Sequence, residues 1–85
     1  MRPRQLLELA REQVADMTGR SVETVSGFHR DDGEGWTVTV EVLELERIPN
    51  TMDLLATYTV TLSDDGDILG IDRRRRYHRA AVDGD

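Results

Sequence analysis

Four consecutive arginines, Arg73-Arg74-Arg75-Arg76, followed by Tyr77, His78 and Arg79, are the densest chemistry in the chain. A guanidinium is a planar fork of donors that recognises carboxylates and phosphates through paired hydrogen bonds. Three uses of such a run compete. It could grip nucleic-acid phosphates, pair with acids on neighbouring strands, or present a docking stripe to an acidic partner. On a regular strand Arg73 and Arg75 share one face and Arg74 and Arg76 the other, so the last two uses can coexist. The charge distribution weighs against the first. Residues 1–72 hold 6 Arg against 15 Asp and Glu, a net of -9. Residues 73–79 hold five Arg and no acid, and residues 80–85 add two Asp. An acidic body with one short basic stripe repels a polyanion. A nucleic-acid-binding regulator acting through Arg73–Arg79 is therefore the alternative reading, and protein docking the main one.

The other reactive side chains form no constellation. His29 and His78 are single and outside any metal-spaced or catalytic motif. Asp31-Asp32-Gly33-Glu34 and Asp64-Asp65-Gly66-Asp67 have turn composition and lack the twelve-residue ligand pattern of a calcium loop. Glu41, Glu44 and Glu46 lie close together without a nucleophile beside them, and Ser21, Ser26 and Ser63 lack a nucleophile motif. The chain has no cysteine and no glycine-rich phosphate loop. We expect no catalytic, cofactor or metal residue, no small-molecule substrate and no enzymatic activity.

The elements that hold these residues are legible in the hydrophobic pattern. At 85 residues the chain makes one domain with a modest core. Leu6, Leu7, Ala10, Val14 and Met17 recur at helical spacing after Pro3 and before Gly19, which predicts a helix over residues 4–18 with that face buried. Arg20–Thr24 reads as a connection and Val25–Arg30 as a first strand, weakened by Gly27. After the Asp31–Gly35 turn, Trp36-Thr37-Val38-Thr39-Val40-Glu41-Val42 alternates as a half-buried strand. The phase then slips at Leu43 and Leu45. Either a bulge restores the direction, or the strand end presents leucines on its second face for a partner; we favour the second. Pro49 breaks this strand. Leu54, Ala56, Tyr58, Val60 and Leu62 form the inward set of the next, with Tyr58 and Trp36 expected in contact. Ile68 to about Tyr77 is the last.

The fold class expected is α+β: an N-terminal helix packed on a four-stranded antiparallel β-meander over residues 1–79, with 80–85 a flexible C-terminal tail. No apolar run approaches the roughly 18–20 residues of a membrane span. Cytoplasmic residence is expected.

The stretch Trp36–Pro49 (WTVTVEVLELERIP) resembles a signature of the gas vesicle protein O family. Asp53–Val60 (DLLATYTV) is similar to that family's tyrosine strand, and Gly66–Gly70 with Arg73–Tyr77 to its Arg-Tyr ending. The likeness covers roughly residues 5–79. Its pattern falls on Trp36, Glu41, Glu44, Arg47, Pro49, Tyr58, Arg76 and Tyr77. The resemblance implies an accessory protein that assists gas vesicle assembly by contacting other gas vesicle proteins, in the cytoplasm or associated with the vesicle. The partner-binding residues expected on this basis are Glu41, Leu43, Glu44, Leu45, Arg47 and Ile48 at one corner, and Arg73, Arg74, Arg75, Arg76 and Tyr77 on the stripe.

Overall fold

A computed structural model describes residues 2–32 and 34–79; the expected tail over 80–85 lies outside them. Helix α1 runs Pro3–Thr18 and is followed by β1 (Val22–Arg30), β2 (Trp36–Leu45), β3 (Leu54–Leu62) and β4 (Ile68–His78). The strands form one antiparallel sheet in the order β1-β2-β3-β4, a meander with β1 and β4 at its edges. The expected α+β class is what the chain adopts.

Local chemistry accounts for the boundaries. Pro3 opens α1, where its missing N–H costs nothing, and the Gln5 side chain accepts a hydrogen bond from the Arg2 amide at 2.9 Å. Gly19 closes the helix in the left-handed region at φ 69°, its N–H donating to the Ala15 carbonyl. The helix buries Leu6, Ala10 and Val14 fully, with Leu7 and Leu9 packed at the margin. Met17, expected on the buried face, is 55% exposed. It lies in the last turn, at the end of the helix where the chain turns away at Gly19.

The core is the layer between α1 and the sheet. Val38, Val40 and Val42 of β2 and Ala56, Tyr58, Val60 and Leu62 of β3 meet Leu6, Ala10 and Val14 there. Trp36 does not reach Tyr58. It lies opposite Leu62 while Tyr58 lies opposite Val40, four residues further along. Trp36 instead stacks on Phe28 of β1, ring centroids 4.7 Å apart and planes within 5°.

β1 starts three residues earlier than its composition predicts, because it is bulged. Register shifts leave Glu23 and Ser26 as extra residues, so Val22, Val25 and Phe28 face the core at intervals of three. β4 is bulged in the same way at Leu69 and Arg74, and β2 at Glu44.

The two hairpin turns brace each other. Asp64 in the β3–β4 turn accepts a hydrogen bond from the Gly35 amide at 3.2 Å and pairs with Arg30 at 3.3 Å. Gly35 has φ 85°, and a Cβ there would stand 2.8 Å from the Leu62 carbonyl oxygen. Gly19 shares the positive φ but has open space around it. Gly35→Ala is therefore expected to cost about 2–4 kcal/mol, from backbone strain plus a clash with main chain. Gly19→Ala should cost about 1 kcal/mol, from strain alone. Urea midpoints of the two variants test the difference.

Candidate functional site

The helix covers one face of the sheet and leaves the other open. A polar cluster sits at the centre of that open face. Glu41 of β2 accepts hydrogen bonds from Ser26 on β1 (2.6 Å), Thr57 on β3 (2.6 Å) and Tyr77 on β4 (2.5 Å). One carboxylate thus ties all four strands together. Arg75 lies over the Tyr77 ring, 4.7 Å from its centroid.

Burial, the hydrogen bond to Glu41 and the negative charge of that partner push the Tyr77 phenol up to about 12. The phenol is neutral in both states below pH 10. Between pH 10 and about 12 the unfolded chain ionises and the folded one does not, so stability falls with rising pH in that window. Tyr77→Phe should remove this part of the alkaline loss. Unfolding midpoints measured across the window, compared with those of the parent, check it.

Glu44 lies on the helix side. The alternation that puts Val38, Val40 and Val42 in the core carries on to Glu44, which is only 8% exposed. Arg76 Nε donates to its carboxylate at 2.6 Å, the Tyr58 hydroxyl donates at 3.4 Å, and Arg73 stands 4.0 Å away. The Arg20 guanidinium donates to the Glu44 carbonyl. The expected alternation of the arginines fails because Arg74 is the bulge residue. Arg73 and Arg76 fall on the same side, where both reach Glu44, and Arg75 falls on the other.

A third ionic cluster closes the end of the sheet. Arg79 bonds Glu23 at 2.6 and 3.0 Å and Asp53 at 3.0 and 3.2 Å. Asp53 is buried and accepts from the Arg47 amide at 2.8 Å. That backbone hydrogen bond, with help from Arg79, holds the Asp53 carboxyl below the usual aspartate value against the opposing effect of burial. Hydrogen bonds to Glu23 and then Asp53 push Arg79 upward.

Apolar side chains project at this same end. Leu45 is 43% exposed, Ile48 101% and Met52 47%, and Met17 ends the neighbouring helix. The Ile48–Pro49 peptide is cis, and a short 3-10 turn over Asn50–Met52 leads into β3. Between the α1–β1 connection and the end of β2 lies an open groove of about 390 Å³, lined by Gly19, Arg20, Ser21 and Leu43–Glu46.

The family described as gas vesicle synthesis protein GvpO matches residues 1–83. The chain belongs to the gas vesicle protein O family. It is 48% identical over 81 residues to gas vesicle protein O of Streptomyces sp. (strain CB03234), covering 95% of this chain and 62% of that one. It is 36% identical over 70 residues to gas vesicle protein O1 of Halobacterium salinarum, covering 82% and 58%. Against gas vesicle protein O of Haloferax mediterranei the identity is 30% over 70 residues, covering 82% and 50%. The chain thus spans between half and two thirds of the length of these relatives. No solved structure matches. Membership supports a gas-vesicle-related role.

The positions at which the family pattern was recognised divide sharply by environment. Glu41, Glu44, Tyr58, Arg76 and Tyr77 are joined by internal hydrogen bonds, which makes them architectural in this fold. Leu43 is half-buried opposite Leu55, on the second face as expected, with the bulge immediately after it. Of the corner residues expected to meet a partner, Leu45, Arg47 and Ile48 are exposed; of the stripe, Arg74 is the residue that bonds to neither glutamate nor ring among the described residues. Met17 and Met52, exposed at the same end, are not among the residues expected to meet a partner. Met17 has core periodicity, and only its place in the last turn before Gly19 hints that no strand lies beneath it.

Proposed function

We propose that this chain assists gas vesicle assembly by binding another gas vesicle protein through its apolar end. The observation that carries the reading is the grouping of Met17, Leu45, Ile48 and Met52. Of the five large hydrophobic side chains exposed among the described residues, these four belong to the end of the molecule where α1 and β2 finish and β3 begins, Leu45 lining the groove there, and only Leu69 lies elsewhere. A soluble domain gains nothing from exposing such a group unless something covers it. Two methionines suit the role, because their flexible thioethers adapt to a surface of varied shape. Subunits of a protein shell carry apolar surface that the finished wall buries, and masking it before assembly is a task for a small binder. The arrangement of the glutamates supports binding over catalysis. Glu41 and Glu44 are engaged by internal donors, and the Glu44 carboxylate beside the groove is held by Arg76 and Tyr58.

The test is a double exchange, Leu45→Ser with Ile48→Ser. Neither side chain is buried, so the fold should hold within about 0.5 kcal/mol. Crosslinking in vesicle-forming cells, with the captured proteins identified, should show gas vesicle proteins on the parent chain and about tenfold fewer on the variant. Undiminished capture of the same proteins by a folded variant would reject the apolar end as the binding surface.

A further inference from the structure

A second feature of the fold points to a different partner. Helix α1 packs against β1, β2 and β3 and leaves β4 largely uncovered. The helix-side residues of β4 are Ile68, Ile71, Arg73 and Arg76, two isoleucines that stay half-buried and two arginines that stay half-exposed. Exposed Arg74 adjoins them. Glu44 supplies one negative charge for Arg73 and Arg76 together, so the strip keeps a positive excess. Asp72 lies opposite Thr59, on the other face.

The same molecule carries the complement. Glu8, Glu12 and Asp16 are all exposed on α1 at intervals of four, which stacks them along one side of the helix. None of the ion pairs among the described residues involves them. Eight residues of helix span about 12 Å. Arg73–Arg76 on an extended strand spans about 10 Å. The two stripes therefore match in length and oppose in sign. Within one chain they cannot meet along their length, because α1 lies over the other strands. Between two chains related by a twofold axis each stripe meets its complement in the other copy, so the contact forms twice.

We infer that the chain self-associates as a symmetric dimer, the acidic side of α1 in one copy lying against the uncovered helix-side strip of β4 in the other. This surface is separate from the apolar end and does not depend on it. The dimer is held mainly by exposed charge, so it is weak and salt-sensitive. Ile68 and Ile71 add a small apolar contact. The bulge at Arg74 brings Arg73 and Arg76 onto this one face, and the two bulges of β4 interrupt its ladder, which favours face packing over strand pairing.

Sedimentation velocity measures the association. A dimer should form at about 50 mM salt and weaken about tenfold or more by about 500 mM. Two variants then decide the contact. Glu8→Arg, Glu12→Arg and Asp16→Arg together set plus against plus. Arg73→Glu with Arg74→Glu sets minus against minus; Arg74→Glu alone serves if the pair unfolds by circular dichroism. Each folded variant should be monomeric by itself, and an equimolar mixture of the two should recover the dimer. A parent chain that stays monomeric at low salt up to about 0.5 mM would overturn the proposal. So would a dimer that survives both charge reversals, or a mixture of the two variants that fails to associate. Leu45→Ser with Ile48→Ser should leave the dimer unchanged, which separates this surface from the one proposed for gas vesicle proteins.

Discussion

Replacing Leu6 by alanine should remove about 3 kcal/mol of stability and lower the melting temperature by about 10–20 °C. Leu6 is the largest fully buried side chain of α1 and sits on the first full turn of the helix. Only Ala10 and Val14 accompany it at full burial. Leucine-to-alanine changes in packed cores cost about 2–5 kcal/mol, through lost transfer energy and the cavity left behind. A domain of this size has a total margin of similar order. The variant should therefore be partly unfolded at physiological temperature, with α1 undocked and Val38, Val40 and Val60 uncovered. Leu69→Ala is the control: that side chain is 65% exposed, and its loss should stay within about 0.5 kcal/mol. Thermal melts followed by circular dichroism measure both.

The second large effect belongs to Glu44. Glu44→Ala should cost about 2 kcal/mol, because it strips the Tyr58 hydroxyl of its acceptor and leaves Arg76 and Arg73 without their shared carboxylate. The figure sits below the cost of breaking a fully buried pair. Both arginine side chains are about half exposed and can turn to water once released. Glu44→Gln should recover part of the loss, since an amide oxygen still accepts from Tyr58. If Glu44 is architectural, both variants change stability and neither changes partner capture at a temperature where the chain is folded. Chemical denaturation paired with the crosslinking assay separates the two roles.

Most of the architecture follows from β2 and β3, and these were the strands whose pattern could be read directly. Each alternates strictly over seven or more residues, and each lies in the middle of the sheet, where period two is enforced on both sides. α1 was equally plain, because Pro3 and Gly19 bracket a clear 3.6-residue pattern. β1 was harder for a definite reason. Its core residues Val22, Val25 and Phe28 recur every three positions, a spacing that matches neither a regular strand nor a helix face, and two bulges produce it. The arginine run misled in the same way. Alternation predicts two faces of two arginines, while the bulge at Arg74 turns Arg73 and Arg76 to the same acid. The clasp of Arg79 on Glu23 and Asp53 joins residues 56 and 26 positions apart, and no local signal reports such a contact. The corner and the stripe were legible as candidates; which of their members are bare and which are bound internally depends on these non-local pairings.

The bulges have one more consequence. Both outer strands carry two of them, and the inner pair carries one, at its end. An outer strand whose ladder is interrupted twice offers no uninterrupted row of amides and carbonyls to a newcomer. A molecule built this way can be crowded against copies of itself, or against chains that polymerise, without becoming a template on which further strands accrete. On the role proposed above, a binder that meets unfinished assemblies is thereby kept from being built in as one more strand.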